Sequence, residues 1–156
     1  NLLVDTLLLD NAIAFAFPDE GDYGWEVRVE NAGSASEWQG YAFSIDRTAP
    51  ESPVAHWGNG DTLSVNASGT LEWDSRDLNT GGLRYPTRDS LYLYTRNDST
   101  TIAARYFFAE TEARRFDFNA TFPSPFSGTG AYFWQVASLD RAGNRRVSNL
   151  FRFIIQ

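Results

Sequence analysis

The feature that most constrains the fold is an internal repeat with a period of about 110 residues. The stretch GDYGWEVRVENAGSASEWQGYAFSI, residues 21–45, recurs in altered form as GAYFWQVASLDRAGNRRVSNLFRFII, residues 130–155. The matching residues are Tyr23, Trp25 and Val27 with Tyr132, Trp134 and Val136 at an offset of 109, then Gly33, Phe43 and Ile45 with Gly143, Phe153 and Ile155 at an offset of 110. A repeat of this length equals one β-sandwich domain, so we interpret the copies as the same part of two successive domains.

Each copy of the repeat has the pattern of a β-hairpin. In YFWQVAS the residues Tyr132, Trp134 and Val136 share one face, because side chains alternate along a strand. DRAGN then supplies turn residues, and LFRFII returns as a second alternating segment. Period-2 alternation predicts that Trp134 and its copy Trp25 lie in hydrophobic cores.

The remaining chain also favours strands. Alternating segments predict strands at residues 2–9, 12–17, 61–65, 70–74, 90–96, 101–110 and 114–122. Residues 101–115 have a composition that permits a helix, but Ile102, Ala104 and Tyr106 alternate and no helix cap closes the segment. Residues 75–89 have no clean period and are predicted to form the longest loop. Seven strands are therefore predicted between residues 54 and 156.

Three segments carry a resemblance to a known family. AYFWQVASLDRAGN resembles the penultimate strand of bacterial fibronectin type III repeats, LEWD resembles their second strand with Trp73 at the core position, and DRTAPESPV resembles the linker between tandem copies. The resemblance implies an all-β fold of tandem fibronectin type III-like antiparallel β-sandwiches, the first incomplete. Residues 1–46 would be the C-terminal part of a first sandwich, 47–53 a linker, and 54–156 a complete seven-stranded domain.

The incomplete first sandwich carries an expectation about partners. About three of its strands have no counterpart in the chain, and half a sandwich leaves its apolar face uncovered. We therefore expect a missing upstream domain or another protein chain to complete residues 1–46.

Composition excludes several functional classes. The chain of 156 residues has no cysteine, which rules out disulfides and thiolate metal sites. The net charge of −7 and the scattered arginines argue against nucleic-acid binding. No run of 18 apolar residues is present to span a membrane.

No catalytic, metal or cofactor site is predicted. His56 is the single histidine, and no nucleophile-elbow motif accompanies it, so we interpret it as a surface or hinge residue. Asp74, Asp77 and Asp89 offer oxygens for a loop calcium site, but the chain lacks the EF-hand spacing. Solvated loop carboxylates are the preferred interpretation, and we predict a protein that is not an enzyme.

Aromatic residues outside the predicted core form a candidate interaction surface. If Leu91 and Leu93 face inward, Tyr92 and Tyr94 face outward, because neighbouring residues of a strand point to opposite faces. The candidate residues are Trp57, Tyr85, Tyr92, Tyr94, Phe107 and Phe133. A contiguous exposed aromatic cluster marks a surface for a partner or a sugar, although a neighbouring domain would cover it equally well.

Four short motifs resemble the O-glycan acceptor pattern of one group of Gram-negative bacteria, in which Asp precedes Ser or Thr and then an apolar residue or Thr. They are DTL at 5–7, DTL at 61–63, DSL at 89–91 and DST at 98–100. The predicted acceptors are Thr6, Thr62, Ser90 and Ser99. The alternative is that Asp-Thr and Asp-Ser pairs simply begin strands.

Together these features predict a non-enzymatic structural or interaction module of an extracellular or bacterial cell-surface protein, one that spaces or docks macromolecules. An outer-membrane complex is one setting in which such modules occur. The alternative function is a carbohydrate-binding accessory module of a glycan-degrading or glycan-uptake system. A planar row of exposed aromatics favours the carbohydrate-binding function, and a broad apolar patch matched to another chain favours the docking function.

Overall fold

The computed structural model describes residues 4–78, 84–110, 112–119 and 125–156. These residues form strands, bends and turns but no helix, which confirms the all-β class. The strands are β1 (Gly21–Val27), β2 (Glu30–Asn31), β3 (Ser34–Ala35), β4 (Gln39–Ile45), β5 (Val54–Trp57), β6 (Thr62–Leu63), β7 (Ser68–Asp74), β8 (Asp77–Leu78), β9 (Arg84–Tyr85), β10 (Arg88–Tyr94), β11 (Ile102–Phe108), β12 (Arg115–Asn119), β13 (Gly130–Leu139), β14 (Arg145–Val147) and β15 (Phe151–Ile155). The chain divides into two compact units, Asn1–Arg47 (unit 1) and Thr48–Gln156 (unit 2).

Unit 2 has the layered arrangement of a β-sandwich. One sheet has the order β11-β10-β13-β15-β6, with β14 paired to β13, and the other has the order β12-β7-β5. All pairings in these two sheets are antiparallel except that of β15 with β6, which is parallel. A buried cluster joins the two sheets, and its members are Leu71, Trp73, Leu91, Leu93, Phe118, Phe126, Tyr132, Trp134, Val136, Phe151, Phe153 and Ile155.

The centre of this core is a contact between tryptophans of opposite sheets. The rings of Trp73 on β7 and Trp134 on β13 have centroids 6.1 Å apart. Trp134 Nε1 donates a hydrogen bond of 2.6 Å to the carbonyl oxygen of Gly58. Gly58 has a φ of +85°, and a Cβ there would lie 2.7 Å from Leu71 and 2.9 Å from Trp134 Nε1, so this position requires glycine.

Most predicted strands of unit 2 are confirmed with shifted ends. The segment predicted as a strand at 101–110 contains β11 (Ile102–Phe108) and no helix, and the predicted strand at 61–65 shortens to the two residues of β6. Residues 75–89 are less irregular than predicted, because β8 pairs with β9 and β10 begins at Arg88. Two-residue pairings are too short to produce a visible period. Residues 79–83 and 120–124 lie outside the described part of the chain.

Unit 1 is built on the β1–β4 hairpin, and its register repeats that of β13 and β15. Gly21, Tyr23 and Trp25 pair with Ile45, Phe43 and Tyr41. Gly130, Tyr132 and Trp134 pair with Ile155, Phe153 and Phe151, at the same offsets of 109 and 110. The repeat seen in the sequence is therefore a repeat of backbone pairing as well.

The two hairpins differ in what covers them. Trp134 is 0% exposed, whereas Trp25 is 52% exposed, so the prediction of a core position for Trp25 is wrong. The predicted strands at 2–9 and 12–17 are also absent, since residues 4–17 have no strand pairing. A β-strand forms only against a partner strand, and the described residues of unit 1 offer none to this segment.

Candidate functional site

The outer face of the larger sheet of unit 2 carries four of the six aromatic residues predicted to form an interaction surface. Tyr92 and Tyr94 lie on β10, Phe107 on the edge strand β11, and Phe133 on β13, which places them on three adjacent strands. Phe107 is 70% exposed, and the other three are half-buried. We call these residues the outer aromatic face.

Arg105 organises this face. Its guanidinium carbon lies 5.0 Å from the ring centre of Tyr92 and 4.5 Å from that of Phe107, both within cation–π range. The hydroxyl of Tyr94 donates to Gln135 Oε1 at 3.1 Å. Burial raises the pKa of Tyr94, and the neighbouring Tyr92 adds to the effect, which favours the protonated hydroxyl that donates this hydrogen bond. The face thus combines flat apolar rings with a fixed cation.

The other two residues of the predicted surface lie elsewhere. Trp57 is half-buried at the end of β5 and packs against Phe118 and Phe153, with ring centroids 6.1 Å and 5.7 Å away. It therefore belongs to the periphery of the core. Tyr85 is in β9, and its side chain lies outside the described part of the structure.

Unit 1 presents a second apolar surface, on one face of the β1–β4 hairpin. At one end of this face Phe17 covers Tyr23 and Phe43, with ring centroids 4.7 Å and 5.1 Å away. At the other end Trp25 and Tyr41, which pair across the strands, are 52% and 68% exposed. We call Trp25 and Tyr41 the open end of the hairpin. Sequence reasoning placed Trp25 in a core and did not single out Tyr41, which is the copy of buried Phe151.

A buried polar network adjoins the aromatic core of unit 2 at Trp73. Asp89 accepts hydrogen bonds from Trp73 Nε1 at 2.7 Å and from Thr87 Oγ1 at 2.9 Å, and Ser75 also donates to it. Arg114 Nε lies 2.9 Å from Asp89 Oδ2, and the Asp89 side chain is fully buried. Arg114 also donates to backbone carbonyl oxygens of residues 87, 109 and 112. The network ties together β7, β10 and the segment before β12.

The structure separates the three aspartates considered for a loop calcium site. Asp74 is exposed and lies 2.9 Å from Nε2 of His56, Asp89 belongs to the network with Arg114, and Asp77 is buried near Asp140. The expectation that these carboxylates are solvated holds for Asp74 but is wrong for Asp77 and Asp89. Their burial depends on contacts between distant segments, which no local pattern reveals.

The four predicted glycan acceptors differ in accessibility. Thr6 lies in a wholly exposed segment, and its motif neighbours Asp5 and Leu7 are exposed too. Ser90 is half-buried between the buried residues Asp89 and Leu91. The other two acceptors, Thr62 and Ser99, are exposed, but the aspartate of each motif already accepts hydrogen bonds from nearby backbone amides.

Comparison with known proteins identifies no family. No protein-family model matches the chain, and no curated protein matches its sequence. Within the part of the chain that the structure describes, no helix has the length and apolar character needed to cross a membrane. The fold thus defines the protein as an all-β protein with a sandwich-like unit.

Proposed function

We propose that the protein is a non-enzymatic structural or interaction module of a surface or secreted protein, in which fibronectin type III-like sandwiches dock or space macromolecules. The observation that carries this proposal is the open end of the unit 1 hairpin. Trp25 and Tyr41 form the cross-strand pair that is equivalent to Trp134 and Phe151 in unit 2, where both residues are buried.

The structure that covers Trp134 in unit 2 indicates what kind of structure would cover Trp25 in unit 1. The sheet β12-β7-β5 packs over Trp134 through Trp73. The occupant that fits unit 1 is therefore a second β-sheet of protein with large apolar side chains on its inner face. Burying Trp25 and Tyr41 would contribute at most about 1.5–3 kcal/mol for each side chain. Association costs about 4–15 kcal/mol, so the rest of the matched sheet must supply the remaining contacts.

The strand order of unit 2 supports the fibronectin type III-like part of the proposal. An immunoglobulin-like sandwich of the constant type places its first, second, fourth and fifth strands in one sheet and the other three in the second. Among the seven longer strands of unit 2, β5, β7 and β12 form one sheet and β10, β13 and β15 the other. The fourth strand, β11, differs because it pairs with β10.

Hydrogen exchange of the intact 156-residue chain tests the docking function. In a verified monomer, amides of β1 and β4 should exchange far faster than those of β10, β13 and β15, and proteases should cut before Pro53 while leaving the rest resistant. Uniform protection across both units would contradict the proposal, because it would show that unit 1 is already complete.

A second measurement uses the dye ANS, which reports exposed apolar clusters. Tyr41→Glu should reduce the dye fluorescence of the intact chain. The matched control is Leu9→Glu, which places the same charge at an exposed apolar position of unit 1 outside the hairpin. An equal reduction by both variants would mean that the open end is not a distinct docking surface.

Protease treatment of intact native cells tests the proposed surface location, since peptides of this chain should be released.

Carbohydrate binding is the second candidate function, and the outer aromatic face favours it. Flat rings on adjacent strands beside a fixed arginine suit the apolar faces and hydroxyl groups of sugars. Affinity electrophoresis in gels containing soluble polysaccharides tests this function. Retardation that Phe107→Ala weakens and Trp25→Ala leaves unchanged supports it, and no retardation in any gel contradicts it.

A further inference from the structure

The outer face of the larger sheet of unit 2 carries arginines as well as aromatic rings. Residues that pair across neighbouring strands share a face of the sheet. Tyr92 points outward, and its pairing with Arg105 places that arginine on the outer face. The pairing of Phe133 with Arg152 places Arg152 there too. The outer arginines are Arg88 of β10, Arg105 of β11, Arg145 of β14 and Arg152 of β15, and all four are exposed.

The acidic residues of the chain do not neutralise this face. Asp89 is the single acidic residue within the six strands of the sheet, and it is buried against Arg114. None of the outer arginines forms an ion pair within the described residues, whereas Arg115 and Arg141 lie 2.7 Å and 2.9 Å from carboxylate oxygens. The chain has 20 acidic and 13 basic residues, so a positive face lies on a protein that is negative overall. Such a local field attracts an anionic partner.

Arg105 and the rings beside it offer contacts to both parts of an acidic sugar. The guanidinium lies against the rings of Tyr92 and Phe107, and its Nη2 donates to Ser90 Oγ at 3.4 Å. A guanidinium has five N–H donors in a planar fork that matches a carboxylate. A carboxylate can therefore bind at the edge of the Arg105 guanidinium while a sugar ring packs on Phe107, which is 70% exposed.

The spacing of the outer arginines indicates the kind of polyanion. Arg105 and Arg152 lie three strands apart, which corresponds to at least about 14 Å. Tyr92 and Phe133 lie on the two strands between them. Duplex DNA carries one negative charge per about 1.7 Å of its axis, so most of its phosphates would find no cation on this face. An acidic polysaccharide separates its carboxylates by whole sugar rings, which matches sparse cations with flat rings between them.

We propose that the outer aromatic face and the outer arginines together bind an acidic polysaccharide, a polymer of uronic acid sugars. Arg105 and Arg152 bind carboxylates of different sugars along the polymer, and Phe107 and Phe133 contact sugar rings. This proposal rests on carbohydrate binding, the second candidate function, and names its class of carbohydrate. It does not depend on the open end of the unit 1 hairpin.

The first test is isothermal titration calorimetry of the intact chain with soluble polygalacturonate. The matched ligand is highly methyl-esterified polygalacturonate, which keeps the sugar chain but loses most of the charge. We expect binding to the charged polymer that weakens when NaCl rises from about 50 mM to about 500 mM, because salt screens exposed charges. No binding of polygalacturonate would overturn the proposal. Equal affinity for both polymers would also overturn it but would leave carbohydrate binding as a function, so the two failures are distinguishable.

The decisive variant is Arg105→Gln, and Arg115→Gln is its matched control. Both remove one exposed positive charge, but Arg115 lies on β12 in the smaller sheet. Arg105→Gln should weaken the affinity for polygalacturonate at least about tenfold, since it removes a charged hydrogen-bond donor, and the control should leave it unchanged. Arg152→Gln should also weaken it and replaces Arg105→Gln if that variant does not fold. Equal weakening by Arg115→Gln, or full affinity in both face variants, would overturn the proposal.

Other polyanions provide the last comparison. Duplex DNA and vesicles that contain phosphatidylserine are titrated at the same salt concentration. Polygalacturonate should bind more tightly than either, because its charges are sparse and its sugar rings fit the aromatic side chains. Tighter binding of DNA or of the vesicles would overturn the proposal, since it would show that the face recognises phosphate groups and not an acidic sugar.

Discussion

The repeat supplies two tryptophans in the same hairpin register but in opposite environments, and this allows a paired mutational test. Trp134→Ala removes a ring that is 0% exposed and contacts Trp73 and Phe151, with centroids 6.1 Å and 4.6 Å away. It also leaves the carbonyl oxygen of Gly58 without its indole donor. Trp25→Ala removes a ring that is half in solvent.

The expected magnitudes differ severalfold. Truncation of a buried tryptophan costs about 3–5 kcal/mol, compared with a total stability of about 5–15 kcal/mol for a unit of this size. The Tm should fall by on the order of 10–20 °C. Trp25→Ala should change the free energy of unfolding of the main transition by less than about 0.5 kcal/mol, because none of the side chains in the core cluster belongs to unit 1.

The assay is denaturant unfolding followed by circular dichroism, with m-values compared to verify that the same transition is observed in both variants. Trp134→Phe separates packing from hydrogen bonding, since it retains most of the ring but not the donor to Gly58, and should cost about 1–3 kcal/mol. Equal losses for Trp25→Ala and Trp134→Ala would refute the reasoning, because they would show that Trp25 is also in a core.

Three further predictions follow from individual side chains. Arg114→Met should cost about 3–5 kcal/mol in denaturant unfolding, because it leaves buried Asp89 without its cation; a loss below about 1 kcal/mol would contradict this. Hydrogen bonds from Thr100 hold the pKa of Asp98 well below its usual range, so the stabilisation by Asp98 is complete above about pH 4 and is lost at more acidic pH. The difference between wild type and Asp98→Ala should accordingly shrink as the pH falls. If protein from the native host carries O-glycans, peptide mass spectrometry should find them on Thr6 and not on Ser90, whose neighbours are buried.

Local alternation predicted the parts of the fold that depend on a single strand. The burial of Trp73 and Trp134 and the pairing of β13 with β15 follow from period-2 patterns and a turn sequence. Alternation specifies which side chains share a face but not whether another sheet covers that face. The exposure of Trp25 was therefore not predictable from the pattern that correctly placed Trp134 in the core.

The candidate sites depend on distant contacts and were less accessible from sequence. The outward direction of the four residues of the outer aromatic face was predicted, because alternation along a strand decides which side chains share a face. The pairing of Asp89 with Arg114 and the approach of Asp77 to Asp140 join segments that only the folded topology brings together. In the sequence, Asp140 has the features of an ordinary turn residue, and its burial leaves no local signal.

The parallel pairing of β6 with β15 has a consequence for a module that is tethered at both ends. Ile154 N donates to the carbonyl oxygen of Asp61 at 2.9 Å, and Gln156 N donates to that of Leu63 at 2.8 Å. Tension applied to the two ends of unit 2 pulls these parallel strands in opposite directions along their length. The hydrogen bonds between β6 and β15 are then loaded in shear. They share the force, so they must break simultaneously and not one after another. We expect unit 2 to unfold at a higher force when pulled between its ends than when pulled between β10 and β11, a comparison that single-molecule force spectroscopy can make directly.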